Sequence, residues 1–395
     1  MMIKSLGSTR MVLFIFMICT FAIGMTEYVV TGLLTQLSND LNVPISTTGL
    51  LLSVYAISVA VFGPILRIFT LKLPTKPLLV AFMFIFVLSN VIAAVAPNFT
   101  VLLISRLCSA AMHAPFFGLS MALAYKMAEP AKKQRALAAV NSGLTIAIMV
   151  GVPFGSYLGG MLDWRSVFWL VAILGTISLI GLMLTIPNDK PLEVPVIKKE
   201  LRVLKNKNLL LVMAIVIFGY SGVFTTYTFK EPILREIAGF SVISVTGALF
   251  CFGTGAVIGN FVSGRVRPEI LTKRLLMVMA GLTLVILSFT FLAQFAPTAF
   301  LASFLLGLFA FGTVPLLNAK MIIAGQEAPS LAGTFAASAF NLANALGALI
   351  GTFILDQGAS FLTLTSVGAG MTILGLAITV ITIRVEEKQL VLSSA

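Results

Sequence analysis

Charged side chains are scarce in this chain of 395 residues. Asp, Glu, Lys and Arg together make up 10% of the sequence, hydrophobic residues make up 59%, and the mean hydropathy is +1.07. A soluble globular domain carries about 25% charged residues. The composition therefore excludes a soluble domain and predicts a protein that crosses a membrane many times.

Residues that bind metals or form disulfides are also rare. The chain has a single histidine, His113, and three cysteines, Cys19, Cys108 and Cys251, which all fall inside apolar runs. Their spacing suits neither a disulfide framework nor a metal site. No nucleotide-binding motif occurs, and one histidine with one buried carboxylate is a poor catalytic set. We expect no metal and no cofactor, and a membrane-embedded enzyme is only a remote alternative.

The basic excess, a net charge of +12, lies in short loops between the apolar runs. Such loops set membrane topology, so the charge does not predict nucleic-acid binding. The first apolar run is too long for a cleavable signal peptide, and we expect it to remain as an anchor.

Twelve apolar runs are long enough to cross a bilayer, which takes about 20 residues. They lie at 11–35, 46–68, 77–97, 99–127, 134–158, 165–187, 209–230, 242–264, 273–295, 297–323, 330–354 and 359–384. Apolar runs of this length favour α-helices. The sequence predicts an all-α polytopic membrane protein with twelve transmembrane helices.

The distribution of basic residues predicts the orientation. Arg106 lies within a span, and Arg165, Lys230 and Arg235 lie in loops on one side. All other Lys and Arg residues fall on the opposite side, which is therefore cytoplasmic. We expect both termini in the cytoplasm.

A basic segment at 188–208 separates six spans from six, and we expect a cytoplasmic linker there. The predicted domains are 1–187 and 209–395. Ser46-Thr-Thr-Gly49 and Ser244-Val-Thr-Gly247 open the second and eighth spans, which indicates that the two six-helix bundles repeat each other. Parallel repeats of this kind place a binding site between the halves near the bilayer midplane.

Three ionisable residues fall at membrane depth in the first and fourth spans. Glu27 lies in the first span, and Arg106 and His113 lie two helical turns apart on one face of the fourth. Intramembrane charges are costly and usually functional. We expect Glu27 to pair with Arg106 and all three residues to couple protons to transport; a buried structural ion pair with a hydrogen-bonded histidine is the alternative.

Polar and aromatic residues in other spans are candidates for substrate contact. Each is about as consistent with packing between helices as with binding. The candidates are Phe117, Tyr227, Asn318, Asn341 and Asn344. Lys230 and Glu231, at the outer end of the seventh span, are interpreted either as an outer gate or, with a slight preference, as a solvated ion pair.

The fifth span carries a string of small residues, Gly151-Val-Pro153-Phe-Gly155 followed by Gly159-Gly160. Glycines at every fourth position form a smooth ridge that permits close helix contact. We expect Pro153 to bend the helix locally.

These motifs resemble those of one transporter family. The glycine string, with Asp163-Trp164-Arg165 after it, resembles the antiporter motif of the major facilitator superfamily, and Ile104-Ser-Arg106-Leu resembles its fourth-span motif. Glu27 within Met25-Thr-Glu-Tyr-Val, together with Arg106 and His113, is similar to the drug:proton antiporter 1 branch, which includes bacterial sugar or arabinose and purine efflux proteins.

The resemblance implies export of a small organic molecule, such as a drug, a sugar or a nucleoside, across a bacterial inner membrane in exchange for protons by alternating access. A proton gradient would then supply the energy. The expected partners are the substrate, protons and the bilayer, with no nucleic acid, and we expect a monomer. An importer or facilitator of the same fold, without proton antiport, is the alternative.

Overall fold

The structure is a computed structural model that describes residues 2–70, 73–129, 132–186, 206–325 and 329–394. Within these ranges every regular element is helical. Twelve stretches in the same ranges are long and apolar enough to cross a membrane, from Thr9–Gly32 to Phe361–Ile383. The predicted all-α fold with twelve spans is confirmed.

Eight α-helices lie before the predicted linker. They are α1 (Met2–Tyr28), α2 (Leu34–Leu41), α3 (Ile45–Phe69), α4 (Thr75–Ala94), α5 (Phe99–Met127), α6 (Lys133–Ile146), α7 (Val152–Met161) and α8 (Trp164–Thr185). A 3₁₀ turn at Val29–Gly32 follows α1, and a π-helical turn at Ala147–Gly151 joins α6 to α7.

Eight further α-helices follow the linker. They are α9 (Lys207–Ala214), α10 (Ser221–Thr228), α11 (Lys230–Ala238), α12 (Val242–Ser263), α13 (Leu271–Leu292), α14 (Ala296–Ala324), α15 (Pro329–Asp356) and α16 (Phe361–Ser394). A π-helical turn at Ile215–Tyr220 joins α9 to α10.

Packing divides the chain into two units. One consists of Met1–Val43 with Val54–Val194, and the other of Pro44–Ser53 with Pro195–Ala395. The first turns of α3 therefore group with the second unit, a detail that the predicted boundaries did not contain. The predicted linker lies outside the described residues up to residue 205.

Side-chain caps explain where several helices begin. Asn98 accepts a hydrogen bond from the Val101 amide at the start of α5 (3.0 Å), and Asp163 accepts one from the Arg165 amide at the start of α8 (3.1 Å). Such caps satisfy amides that have no partner inside the helix. They fix where the spans begin after short loops.

The first unit is built around α1. This helix packs against α5, α6 and α8, while α4 packs against α5 and α8. Phe16, Cys19 and Ala22 on α1 are fully buried. A span surrounded in this way presents its polar side chains to protein rather than to lipid, which is what an intramembrane carboxyl group needs.

In the second unit the closest contact joins α12 and α14. A Cβ atom at Gly255 would collide with the backbone carbonyl of Phe304, and one at Gly259 with that of Leu308. Only glycine permits backbones to approach so closely, as is common between helices in membranes.

Candidate functional site

A buried polar network lies in the first unit, where α1 ends. It joins side chains from α1, α3, α4 and α5, and its six members are Thr26, Glu27, Tyr55, Asn90, Arg106 and His113. Each of these residues is at most 9% exposed.

The end of α1 positions the network. The helix stops at Tyr28 and continues as the 3₁₀ turn Val29–Gly32. The last carbonyl groups of an α-helix have no partner within the helix. The break therefore leaves the carbonyls of Thr26 and Glu27 available to a donor from another helix.

Arg106 from α5 supplies that donor. Its Nη1 atom donates to the Thr26 carbonyl at 2.7 Å and to the Thr26 hydroxyl at 3.1 Å, and its Nη2 atom donates to the Glu27 carbonyl at 3.4 Å. A cation at a helix C-terminus also interacts favourably with the helix dipole. The guanidinium group thus caps α1.

This geometry corrects one expectation. The sequence predicted an ion pair between the Glu27 carboxylate and Arg106, but the hydrogen bonds of Arg106 go to the backbone of Thr26 and Glu27 and to the Thr26 hydroxyl, and the two charged groups interact electrostatically without such a bond. The reason is that the break in α1 exposes carbonyl oxygens, which take up the donors of the guanidinium group. The Nε atom of Arg106 is buried without a hydrogen-bond partner.

His113 lies beside the carboxyl group of Glu27. The distance between its Nδ1 atom and the Oε2 atom of Glu27 is 3.6 Å, and the two side chains are 10% and 6% exposed. The two-turn spacing between Arg106 and His113 places one beside the backbone of Glu27 and the other beside its carboxyl group. The structure therefore brings the three predicted residues together, but in a different pairing.

Sequence analysis missed Tyr55. Its hydroxyl lies 3.3 Å from the Nδ1 atom of His113, and the Arg106 guanidinium lies 4.3 Å from the centre of its ring. The residue is 1% exposed. A tyrosine inside an apolar run was the only available signal, and such a residue is usually a packing residue.

Thr26 and Asn90 were also missed. The Thr26 hydroxyl donates to the Asn90 side-chain oxygen at 2.8 Å, and the Asn90 amide donates to the Phe86 carbonyl at 2.8 Å. These two hydrogen bonds link Thr26, which accepts hydrogen bonds from Arg106, to α4. Asparagine within an apolar span was the signal that could have found it.

The glycine ridge of the fifth span faces α1 and the turn that follows it. A side chain at Gly151 would contact Phe21, one at Gly155 would collide with Val29, and one at Gly159 would collide with Leu33. The Ser156 hydroxyl also donates to the Gly32 carbonyl at 2.9 Å. The ridge therefore supports the segment that directly follows Glu27.

Pro153 and Gly160 complete the string. Pro153 lies in the first turn of α7, directly after the π-helical turn at Ala147–Gly151. A proline lacks an amide donor and clashes with the carbonyl four residues before it, and a π-helical turn is one way to accommodate it. The predicted bend at Pro153 stays a prediction, although the π-helical turn directly before it interrupts the regular α-helix. Gly160 is partly buried in α7.

A partly exposed cluster joins the ends of three segments in the first unit. The Asp40 carboxylate accepts from the Trp164 indole at 2.9 Å and from Arg165 at 2.7 Å, and Arg165 also donates to the Ala96 carbonyl at 3.1 Å. The Trp164 indole N–H and the Arg165 guanidinium lower the pKa of Asp40 below its usual value.

The substrate-contact candidates lie in both units. The rings of Phe117 and His113 are 6.1 Å apart in the first unit. In the second unit Tyr227 stacks on Phe252 at 4.6 Å, and Asn318 on α14 is partly buried. Phe117 is thus next to the polar network, and Tyr227 belongs to an aromatic cluster.

Two asparagines lie one turn apart on α15. Asn341 donates from its amide to the Ala337 carbonyl at 3.0 Å, and Asn344 is 3% exposed. Their side-chain oxygens are buried without hydrogen-bond partners. Buried acceptors of this kind are costly unless satisfied, so both remain candidates for contact with a substrate.

Lys230 and Glu231 are not a solvated pair, which corrects the preferred interpretation. Both side chains are fully buried. Glu231 pairs with Arg235, one turn along α11, while the Lys230 ammonium donates to the Ala248 carbonyl at 3.2 Å and lies 4.5 Å from the centre of the Phe252 ring. Because the helix breaks between α10 and α11, these two side chains are buried within the second unit.

The chemistry available at the network is proton binding and release. In the described part of the chain no group of His, Cys, Asp and Glu could hold a metal ion. A buried carboxyl group next to an imidazole can exist in more than one protonation state, and the surrounding hydrogen bonds decide which is stable. Such an arrangement suits a proton-coupled transporter.

Comparison with known proteins identifies the family. Residues 16–352 match the sequence profile of the Major Facilitator Superfamily. The chain belongs to this superfamily. It is also 48% identical over 371 residues to an uncharacterized MFS-type transporter, YfhI, of Bacillus subtilis (strain 168), and the alignment covers 94% of each chain. The predicted superfamily is confirmed, and the chain is a multi-pass membrane transporter.

More distant relatives carry names that refer to efflux or resistance. A chloramphenicol resistance protein of Streptomyces lividans is 29% identical over 352 residues, covering 87% of this chain and 89% of the relative. A probable sugar efflux transporter of Helicobacter pylori (strain P12) is 28% identical over 344 residues, covering 87% and 88%.

The fold also matches a solved superfamily structure. It is a bacterial homolog of the human lysosomal transporter Spinster in an inward-facing, unoccupied conformation, with a TM-score of 0.68 and 15% identity, covering 95% of each chain. This likeness supports a fold of two six-helix halves.

Proposed function

We propose that this transporter exports a small organic molecule in exchange for protons, by alternating access of one site to the two sides of the membrane. Glu27 carries the proton, and His113 and Arg106 set the conditions under which it is bound. The energy comes from the proton gradient, without a cofactor. The protein acts as a monomer in a bacterial inner membrane, with both termini in the cytoplasm.

One observation carries this proposal: a carboxyl group buried in the first span lies 3.6 Å from an imidazole, while the hydrogen bonds of the nearby guanidinium go to two backbone carbonyls and a hydroxyl. A carboxylate paired with arginine would stay ionised. A carboxyl group without that pairing can gain and lose a proton as its surroundings change between states.

Coupling requires that the two states of the transporter differ in affinity for the proton. Arg106 bonds to the carbonyls of Thr26 and Glu27, and the glycine ridge packs against Val29 and Leu33 in the segment that follows. A rearrangement of α5 or α7 would therefore move the carboxyl group relative to His113. If substrate and proton compete for this site, that competition is sufficient for antiport.

The names of two relatives support a class of substrate. Their names refer to chloramphenicol resistance and to sugar efflux. Chloramphenicol and sugars are uncharged small molecules. Neutral substrates suit a site whose single carboxyl group carries the proton. We propose uncharged drugs, sugars and nucleosides as the first compounds to test.

Proteoliposomes with an imposed pH gradient test the proposal. Chloramphenicol, arabinose, a purine nucleoside and ethidium are added in turn, and a pH-sensitive dye reports proton movement coupled to each. The variant Glu27→Gln should lose coupled proton movement while remaining folded. The matched control is Glu129→Gln, because that carboxylate is half exposed beside Lys132. Normal coupled transport by Glu27→Gln would overturn the proposal.

An importer or facilitator of the same fold predicts a different result in the same vesicles. Radiolabelled substrate would then exchange across the membrane at a rate independent of the pH gradient, in wild type and in Glu27→Gln alike. Proton-driven accumulation against a concentration gradient distinguishes the exporter.

A further inference from the structure

One nitrogen atom of His113 faces two possible partners. Its Nδ1 atom lies 3.3 Å from the Tyr55 hydroxyl and 3.6 Å from the Glu27 carboxyl group. A neutral imidazole has one N–H group and one acceptor nitrogen. The Nδ1 atom can therefore serve as a donor or as an acceptor, but not as both at once.

The two partners require opposite states of that atom. An ionised Glu27 only accepts hydrogen bonds, so it needs a proton on Nδ1. The Tyr55 hydroxyl makes its best contact as a donor, which needs the lone pair of Nδ1 and places the ring proton on Nε2. Loss of charge from Glu27 thus favours the hydrogen bond from Tyr55.

Tyr55 is held in place for this contact. Its ring packs with Val59 and Ala110, its opposite face is covered by the Arg106 guanidinium, and it is 1% exposed. The ring has little freedom to turn away, so the hydroxyl stays within reach of His113. In the described residues the titratable groups beside His113 are Glu27 from α1 and Tyr55 from α3. The Glu27 side chain also hydrogen-bonds Tyr28, and the Arg106 guanidinium lies over the Tyr55 ring.

We propose that Tyr55 is a positioning residue that competes with Glu27 for the Nδ1 atom of His113, so that the tautomer of His113 switches with the protonation of Glu27. This deepens the proposed function, on which it rests for the role of Glu27 in transport.

The proton balance of the switch is simple. In the loaded state Glu27 carries a proton, His113 carries one on Nε2, and Tyr55 donates to Nδ1. On release, the Glu27 proton passes to Nδ1 and the Nε2 proton leaves to water. One proton is lost in total, the imidazole stays neutral, and the Tyr55 hydroxyl becomes an acceptor or turns away.

The experiment exploits the fact that His113 is the only histidine in the chain. Protein labelled with ¹⁵N-histidine, purified through a tag without histidine and reconstituted in lipid, gives one pair of ring nitrogen signals. Their chemical shifts distinguish the two neutral tautomers from each other and from the imidazolium ion. Spectra are recorded from about pH 5 to about pH 9, which brackets the ordinary pKa of histidine.

The wild type should change from the Nε2–H tautomer at low pH to the Nδ1–H tautomer at high pH. Tyr55→Phe removes the hydrogen bond that stabilises the Nε2–H form, so the midpoint should move to lower pH by about half to one pH unit, the equivalent of one hydrogen bond. Glu27→Gln should make the tautomer ratio independent of pH. The control is Tyr125→Phe, which changes a half-exposed tyrosine on α5, the helix that carries His113. This variant should leave the midpoint unchanged.

A second measurement avoids dependence on the folding of Tyr55→Phe. Protein with 3-fluorotyrosine introduced at position 55 alone has a more acidic, stronger phenol donor there, and its midpoint should move to higher pH. Three results would each overturn the inference. The wild-type ring could protonate to imidazolium, its tautomer could stay the same at every pH, or neither tyrosine change could move the midpoint.

The outcomes separate this inference from the proposed function. If Glu27→Gln keeps normal coupled transport while the tautomer switch occurs as described, the transport proposal fails and the competition stands. If Glu27→Gln abolishes coupling and Tyr55→Phe leaves the midpoint unchanged, the transport proposal stands and the competition fails.

Discussion

Arg106 donates its shortest hydrogen bond, 2.7 Å, to the backbone carbonyl of Thr26, one residue before the carboxylic acid that it was expected to neutralise. The guanidinium therefore acts on the end of a helix rather than on a side-chain charge. A cap of this kind makes the position of Glu27 depend on α5, which also carries His113. Movement of α5 would alter the site through the backbone as well as through the side chains.

The cap can be tested with Arg106→Lys, which keeps the charge. A lysine ammonium cannot reproduce the planar fork that bonds both carbonyls. We expect a loss of about 1.5 to 3 kcal/mol of stability, the value of a hydrogen bond to a charged group, measured as thermal unfolding in detergent. If Arg106→Lys unfolds like the wild type while Arg106→Ala does not, charge alone matters and the capping role is wrong.

The glycine ridge predicts a steric effect at Gly155. Gly155→Ala should force apart α7 and the turn after α1, at a cost of about 1 to 3 kcal/mol for overpacking, and should reduce transport. The double variant with Val29→Ala should recover both, because Val29 is the side chain that a Cβ atom would meet.

The control for that experiment is Gly118→Ala on α5, where nothing lies within 4 Å of an added Cβ atom. This change should be neutral or slightly stabilising, since alanine is favoured over glycine in a helix. Equal destabilisation by both alanine variants would indicate a general effect rather than contact with α1.

The Asp40 cluster predicts a pH-dependent contribution to stability. The pKa of Asp40 is lowered, mainly by the hydrogen bond from Trp164 and next by the hydrogen bond from Arg165. The contribution is therefore complete above the unfolded pKa of about 3.9, and it is lost as the pH falls through the lower folded value.

Asp40→Asn measures that contribution. The carboxylate is half exposed, so we expect it to be worth about 1 kcal/mol or less at pH 7. The difference in unfolding temperature between wild type and variant should shrink as the pH falls below about 4. Asp356→Asn, an exposed carboxylate at the end of α15, serves as the control. A difference that stays constant down to pH 3 would argue against the ionised group as its source.

The buried pair on α11 predicts a strong double-mutant coupling. Glu231→Gln leaves the partly buried guanidinium of Arg235 without its carboxylate and should cost about 3 to 5 kcal/mol. The combination with Arg235→Gln should recover part of that loss. Glu269→Gln, at an exposed position elsewhere in the second unit, should change stability little, and additive effects of the first two changes would contradict a direct pair.

Much of the fold could be predicted because each span is encoded locally. An apolar run of about 20 residues forms a helix in a bilayer whatever its neighbours are. For the same reason Glu27, Arg106 and His113 were visible as candidates, since an ionisable residue stands out in an apolar run. The glycine ridge was visible from its spacing alone.

The pairing of those residues could not be read from the sequence. Arg106 bonds to the backbone because α1 ends at Tyr28, and neither the apolar pattern nor the residue types mark that break. Tyr55 and Asn90 reach the site from two further helices, at separations along the chain that no local pattern encodes. Lys230 and Glu231 are buried because α11 turns inward, although their position at the end of a span predicted exposure.

The sequence by itself thus determined the number of spans, the superfamily and the presence of an intramembrane acid, because each depends on short stretches of residue types. Only the tertiary structure decided that this acid meets a histidine while the arginine holds its backbone. That choice depends on distances of 2.7 to 3.6 Å between atoms from three helices, which are set by how the helices pack.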